Sequence, residues 1–150
     1  MPGGAPACLA FHQGQLWVGL NINATTDAAG KIVRCFPEID SAWTVDVSNL
    51  SGGPVSMRAF QGSLYVGTKS SVAPAEKIYK RSPTAYTYSA VFTGVGAGGN
   101  ASVSHLVEYS NALYAAQYHA TAPTIHIKKS TDGTTWSTDR DVDATDGGVA

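Results

Sequence analysis

Short apolar segments separated by turn residues run along most of this 150-residue chain. In its middle third the segments cover roughly residues 55–60, 63–69, 76–82 and 86–92. Each is rich in Val, Tyr, Phe, Ile or Thr, which is the composition typical of β-strands. No segment has the period of an amphipathic helix. The pattern therefore predicts an all-β fold.

One apolar segment occurs in three related versions, which cover residues 11–19, 60–68 and 109–116. Their leading aromatic residues are separated by two intervals of 49 residues: Phe11, Phe60 and Tyr109. A fixed period of this size indicates a repeat architecture. Each version is preceded by a Gly-rich lead-in and belongs to a group of four apolar segments. We therefore expect four strands in each repeat.

The chain is predicted to be a single repeat domain, 1–150, with repeats at about 4–54, 55–102 and 103–147. Within each repeat, a tight turn is expected between the first two strands. The three predicted turns are Gln13-Gly14, Gln61-Gly62 and Asn111-Ala112. Gly and Asn favour such turns because they tolerate positive φ angles.

Between the last two strands of the third repeat lies Ser130-Thr131-Asp132-Gly133-Thr134-Thr135-Trp136. Together with the repeated segment at 60–68, this motif resembles blades of the Asp-box (BNR, sialidase-like) β-propellers. The resemblance extends from about residue 4 to 143, although the Asp box is intact only at 130–136. It implies a β-propeller with three four-stranded antiparallel blades in this chain.

Three blades would form an open arc, whereas propellers close with about four to eight blades. An open arc would leave two apolar blade faces in water, which is rare for soluble monomers. We therefore expect a homodimer whose two half-rings complete one six-bladed propeller. Two alternatives remain open, namely a fragment of a longer propeller and a monomeric β-trefoil, which also has three four-stranded repeats.

Composition and charge exclude several classes of function. The net charge is −1 and the sequence has no basic cluster, so nucleic-acid binding is not expected. No apolar run reaches the length of a membrane span, and no secretory signal is recognisable at the N-terminus, which leaves the compartment unknown. Cys8 and Cys35 lie in one repeat without counterparts, and we expect buried free thiols.

Candidate ligand-binding residues lie in loops that the propeller resemblance places on one face of the ring. They are Asn21, Asn23, Lys69, Tyr118 and His119. A second, weaker set recurs at the outer edge of the repeats and could contact glycans there: Trp43, Tyr88 and Trp136. The repeated aromatics inside the second strands are instead expected in the core: Trp17, Tyr65 and Tyr114. Basic residues that recur in the third strands are expected on a solvated surface: Arg34, Lys80 and Lys128.

Catalysis is not expected. A sialidase of the family that the chain resembles would need three arginines converging on one pocket, and the repeats supply no matched trio. No pair of carboxylates can be nominated for glycoside hydrolysis, and no spacing of His, Cys, Asp or Glu predicts a metal site or cofactor.

The leading hypothesis is a non-catalytic β-propeller that recognises a ligand, with glycans as the favoured class. The first alternative is a structural, assembly or surface-display protein without a small-molecule ligand. The second alternative is a sialidase-like glycoside hydrolase.

Overall fold

The computed structural model describes residues 4–22, 29–38, 42–70, 76–94, 101–119 and 124–143. Within these ranges the chain forms twelve β-strands and no helix, so the prediction of an all-β fold is confirmed. Accordingly, the described part of the chain contains no helix that could cross a membrane.

The strands form three successive antiparallel meanders of four strands each. The first sheet contains β1 (Ala5–His12), β2 (Gln15–Asn21), β3 (Ala29–Cys35) and β4 (Thr44–Ser51). The second contains β5 (Gly53–Phe60), β6 (Ser63–Ser70), β7 (Lys77–Arg81) and β8 (Tyr88–Thr93). The third contains β9 (Ala101–Tyr109), β10 (Ala112–His119), β11 (Thr124–Ser130) and β12 (Ser137–Asp143). The segments predicted in the middle repeat match β5 to β8 to within two residues.

The second and third sheets are joined by strand pairing, whereas separate blades would share no paired strands. Strand β6 continues past its pairing with β7, which ends at Gly67. Beyond that point Lys69 pairs with Ser102 and Ser70 pairs with Ala101, which joins the two sheets through β6 and β9. The extension of β6 would otherwise leave backbone hydrogen-bonding groups unpaired, and β9 provides their partners.

The hairpin turns correct the alignment of the repeats. Positive φ angles occur at Gln13 and Gly14, at Gln61 and Gly62, and at Ser110 and Asn111. The third turn is therefore Ser110-Asn111, and the predicted turn Asn111-Ala112 is wrong by one residue. The residues that precede the three turns are His12, Phe60 and Tyr109. Phe11 is thus not the counterpart of Phe60, because Phe11 is 66% exposed whereas Phe60 is buried.

The three sheets are stacked face to face, and each of the first two packs the same side against the next sheet. We call the side that carries Trp17, Tyr65 or Tyr114 the trailing face of its sheet, and the opposite side the leading face. The trailing face of the first sheet packs Trp17 and Ile32 against Leu64 and Val66 of the second. The trailing face of the second sheet contributes three residues to the next core, where they meet the leading face of the third: Phe60, Tyr65 and Ile78.

Candidate functional site

A ring–ring–cation triad recurs on the trailing face of every sheet. In each triad the residue before the hairpin turn lies beside the aromatic of the second strand, with ring centroids 6.1–6.4 Å apart. A basic residue from the third strand lies over that aromatic at 5.4–5.7 Å. The triads are His12–Trp17–Arg34, Phe60–Tyr65–Lys80 and Tyr109–Tyr114–Lys129.

The strand register explains the basic member of each triad. Arg34 is paired with Trp17, Lys80 with Tyr65 and Lys129 with Tyr114. Lys129 is therefore the counterpart of Arg34 and Lys80, and the expectation that Lys128 recurs at this position is wrong by one residue. A long basic side chain can cover the ring of its cross-strand neighbour. The expectation of a solvated surface is wrong for Arg34, which is 23% exposed and donates a hydrogen bond to the buried Asp46 carboxylate.

The first two triads are covered by the next sheet, but the third is not. Trp17 and Tyr65 are buried, as predicted for core residues. Tyr114 is only half-buried and its neighbour Tyr109 is 71% exposed. Within the described residues, no sheet lies against the trailing face of the third sheet. Its aromatic triad therefore remains accessible.

The leading face of the first sheet is likewise uncovered in the described part of the chain. Leu9 and Phe11 of β1 are 69% and 66% exposed, and Val45 of β4 lies on the same face. At the other end of the stack, Val107 adds apolar surface beside Tyr109. Exposed apolar surface on this scale usually marks an interaction site. Two end faces are thus candidates for assembly.

A buried ionic cluster joins the first and second sheets. The Asp46 carboxylate accepts two hydrogen bonds from the Arg81 guanidinium, at 2.7 and 2.9 Å, and one from Arg34 Nε at 3.1 Å. It also accepts a 2.9 Å bond from the Tyr88 hydroxyl. The side chains of Asp46 and Arg81 are 2% and 3% exposed. Arg81 also stacks on Trp17 at 4.7 Å.

The ionisation of Asp46 depends on these partners. Burial alone would raise its pKa, but the hydrogen bonds from Arg81 and Tyr88 and the Arg81 charge overcome this effect and lower the pKa. Burial and the neighbouring Asp46 carboxylate raise the pKa of Tyr88, although the Arg81 charge opposes them. Asp46 and Arg81 therefore form a charged pair that binds the first two sheets together.

Asp46 occupies a β-bulge that recurs in the last strand of every sheet. The pairing register skips Asp46 in β4, Val91 in β8 and Asp139 in β12. A bulged residue is displaced from the regular alternation of the strand, which redirects its side chain. Val91 packs against the core between the second and third sheets. Asp139 has no neighbouring sheet in the described ranges and contacts Arg140 at 3.6 Å.

The Asp box at 130–136 is a hydrogen-bonded turn. Asp132 Oδ1 accepts bonds from the backbone N–H groups of Thr134 and Thr135, both at 2.7 Å. The hydroxyls of Thr135 and Ser130 donate to the same carboxylate at 2.9 and 3.0 Å. These donors, the backbone groups foremost, lower the pKa of Asp132. The carboxylate is therefore already occupied by the turn itself.

We expect Asp132→Ala to lower the thermal unfolding midpoint, because the two N–H groups lose their acceptor. Asp132→Asn should cost less, since the amide oxygen still accepts both backbone bonds. Because the pKa of Asp132 is lowered in the folded protein, its contribution should be present at neutral pH. It should decline as the pH falls below the unfolded value of about 3.9. Thermal unfolding of the three proteins between neutral and acidic pH tests this expectation, and equal midpoints at neutral pH would contradict it.

Gly133 of the Asp box lies directly over the aromatic of the preceding sheet. A Cβ atom added at Gly133 would overlap the Tyr65 hydroxyl, and the residue has a φ angle of +70°. Gln61 Nε2 also donates to the Thr131 carbonyl at 3.0 Å. The loop between the last two strands of the third sheet thus covers the trailing face of the second.

The predicted loop-face residues lie at the ends of the second strands. Asn21 is the last residue of β2, Lys69 is the penultimate residue of β6, and Tyr118 and His119 end β10. Asn23 and the side chain of His119 lie outside the described residues. The side chain of Asn21 borders Gly53, whereas Tyr118 is paired with Ile125 on the trailing face of the third sheet.

The three outer-edge aromatics have different surroundings. Tyr88 is bound to Asp46 of the preceding sheet, and Trp136 packs against Phe92 of the preceding sheet with ring centroids 6.3 Å apart. Both therefore contribute to contacts between sheets. Trp43 has no preceding sheet in the described part of the chain and is 36% exposed.

The four arginines are each engaged by a carboxylate. Arg34 and Arg81 bind Asp46. Arg140 lies near Asp139, and Arg58 lies 3.6 Å from Glu108. The last pair borders a cleft of about 370 Å³ across the first strands, which is also lined by Leu9, Phe11 and Met57. Sequence reasoning missed this cleft because its residues come from three repeats.

Neither cysteine is in a disulfide, as predicted. Cys35 is buried and Cys8 is half-buried. Burial raises the pKa of the Cys8 thiol to about 12. In the described ranges, no three His, Cys, Asp or Glu side chains are grouped as metal ligands would be. No protein-family model matches the chain, and no curated protein matches it either.

Proposed function

We propose that two copies of this chain close into one six-bladed β-propeller of the Asp-box type, which serves as a non-catalytic binding module. The observation that carries the proposal is the pair of uncovered end faces. The trailing face of the third sheet bears the same triad that the first two sheets bury. The leading face of the first sheet offers Leu16 and Val18, the counterparts of Leu64 and Val66.

Each uncovered face therefore matches one side of the interfaces inside the chain. Joining the trailing face of one copy to the leading face of another would place Tyr114 against Leu16 and Val18, as Trp17 packs against Leu64 and Val66 between the first and second sheets. Two such seams, related by a twofold axis, would leave no end face in water. Three in-order antiparallel meanders also favour a propeller over a β-trefoil.

The proposed binding surface is the end of the ring where the second strands finish. Asn21 and Lys69 lie there and supply an amide and an ammonium group. Such groups donate hydrogen bonds, and an amide also accepts them, as hydroxyl-rich ligands require. Both residues lie at strand ends beside the following loops, and loops on a rigid β scaffold commonly carry binding functions. Glycans are therefore the proposed class of ligand.

A glycan array tests the binding proposal. We expect the wild-type protein to bind a restricted set of glycans and Asn21→Ala or Lys69→Ala to weaken that binding without altering the far-UV circular dichroism spectrum. Thr84→Ala, in an exposed loop at the opposite end of the second sheet, is the control. An absence of binding at high protein concentration would contradict a lectin function.

That absence would favour the second candidate, a structural or assembly protein without a small-molecule ligand. The specific observation in its favour is again the pair of apolar end faces, which provide for self-association without requiring any further ligand. The sialidase-like hydrolase remains a third hypothesis, and turnover of a fluorogenic sialoside is the result that would support it.

A further inference from the structure

The aromatic residue at the start of the last strand contacts the preceding sheet wherever that sheet is present. Trp136 packs against Phe92 of the second sheet, and Tyr88 donates its hydroxyl hydrogen to Asp46 of the first. These contacts occur at both interfaces within the chain. The aromatic residue at this position therefore links its sheet to the sheet before it.

Trp43 occupies the same position in the first sheet. Trp43 directly precedes Thr44, which pairs with Arg34. In the same way, Tyr88 directly precedes Ser89, which pairs with Lys80. In this register Trp43 lies on the leading face, which no sheet covers within the described residues. Within the described residues, the partly exposed Trp43 therefore lacks the neighbouring sheet that Tyr88 and Trp136 contact.

The residue that would face Trp43 can be read from the register of the third sheet. Phe92, which contacts Trp136, follows the bulged Val91 and pairs with Ile78. Arg140 follows the bulged Asp139 and pairs with Ile127. Arg140 is therefore the third sheet's counterpart of Phe92. Its side chain is 74% exposed.

We propose that Trp43 of one copy packs on the Arg140 guanidinium of a second copy, and that this contact occurs at both seams of the ring. The inference rests on the proposed ring closure and specifies its partner residues. An arginine over an indole ring is attracted by the ring quadrupole, and Trp gives the strongest such contact among aromatic residues. A cleft of about 460 Å³ adjoins the strand that carries Arg140; it is lined by Lys129, Ser137 and Asp139 and leaves room for the Trp43 indole.

The seam also differs from the internal interfaces at the second strands. Gly19 and Gly67 lie where an added Cβ would meet the neighbouring sheet, at 2.9 Å from Pro54 and 2.7 Å from the Val103 carbonyl oxygen. The corresponding residue of the third sheet is Ala116, which pairs with Ile127 as Gly67 pairs with Ile78. Its methyl group holds the inner strands further apart at the seam. This makes contacts toward the outer edge, such as Trp43 with Arg140, more important there.

A charge-exchange experiment tests the contact. Trp43→Lys would place two cations opposite each other, and Arg140→Glu would remove the cation from the indole. Each variant alone should raise the dimer dissociation constant by about 100-fold, since two seams each lose about tenfold. An equimolar mixture of the two variants should recover to within about tenfold of wild type. One seam of the mixed dimer is then native, and the other brings together the two introduced side chains, an ammonium and a carboxylate of opposite charge.

The dissociation constants are measured by sedimentation velocity over a dilution series, with circular dichroism to verify folding. Thr84→Lys, in the corresponding loop of the second sheet, should leave the constant unchanged. A mixture no tighter than the single variants would overturn the Trp43–Arg140 contact while leaving a dimeric wild type, and thus the ring, intact. A monomeric wild-type protein would instead overturn the ring and the contact together.

Discussion

Replacing Asp46 with alanine is expected to lower the free energy of unfolding by about 3–5 kcal/mol, the usual effect of removing one partner from a buried ion pair. Arg81 would remain between the first two sheets without its carboxylate, and the Tyr88 hydroxyl would lose its acceptor. Natural domains are stable by only about 5–15 kcal/mol, so the variant should be close to unfolding. Urea denaturation at a fixed protein concentration, followed by Trp fluorescence, measures the change.

Asp139→Ala is the matched control, because Asp139 occupies the equivalent bulge in the third sheet. Its carboxylate is 30% exposed and lies 3.6 Å from the largely exposed Arg140. Cys35 holds the position in the first sheet that corresponds to Arg81, so a neighbouring copy would offer no cation there. The control should therefore cost less than about 1 kcal/mol. Equal effects of Asp46→Ala and Asp139→Ala would refute a buried ionic connection between the sheets.

The Asp46 contribution should also depend on pH. Its pKa is lowered in the folded protein, so the unfolded chain takes up a proton first as the pH falls. The stabilisation is present above the unfolded pKa of about 3.9 and is lost progressively below it. The difference in stability between wild type and Asp46→Ala should therefore shrink in acid.

Gly67→Ala should have the second large effect, about 2–4 kcal/mol from overpacking and a disturbed hydrogen bond. The new methyl group would overlap Ser56 Oγ and lie 2.7 Å from the Val103 carbonyl oxygen. These two atoms are joined by a 2.9 Å hydrogen bond between the second and third sheets. The sheets would have to separate, and the same urea titration would measure the loss of stability.

Gly62→Ala is the control for adding a methyl group. It has open space around its Cβ position and is disfavoured only by its φ angle of +74°, which costs about 1–2 kcal/mol. Ala116→Gly probes the equivalent position on the uncovered face and should change stability by no more than about 1 kcal/mol. If Gly67→Ala proved milder than Gly62→Ala, close contact between the second and third sheets would be disproved.

The strands of this fold could be predicted because their pattern is local. Alternation, β-branched residues and Gly-containing turns located β5 to β8 to within two residues. The alignment of the first repeat with the second was less predictable, because Phe11 matches Phe60 in residue type but not in its position relative to the hairpin turn. The hairpin geometry identifies His12 as the true counterpart, and its ring contact with Trp17 supports that assignment.

The ionic cluster was beyond sequence reasoning for a physical reason. Asp46 and Arg81 are 35 positions apart, and this Asp–Arg pair does not recur in the other repeats. Only the bulge in β4 and the stacking of two sheets bring them together. The same holds for Arg58 and Glu108, which become neighbours through the packing of β5 and β9. Contacts that occur at only one interface between repeats leave no periodic signal in a single chain.

The outer-edge aromatics illustrate how a correct pattern can admit two functions. Their recurrence suggested a glycan-binding edge, yet Tyr88 and Trp136 contact the preceding sheet. Only Trp43 still has exposed surface without such a neighbour in the described ranges. The loop-face residues remain predictions of binding. The sequence indicated loop positions, whereas Asn21, Lys69, Tyr118 and His119 lie at strand ends, and the sequence cannot identify their ligand.

The most direct test of ring closure is the molar mass of the 150-residue chain in solution, measured by light scattering coupled to size-exclusion chromatography. The proposed ring predicts one species with twice the chain mass of 15.6 kDa. The mass should persist in moderate salt, because the end faces are chiefly apolar. A folded species of 15.6 kDa across the same concentrations would contradict closure by a second copy.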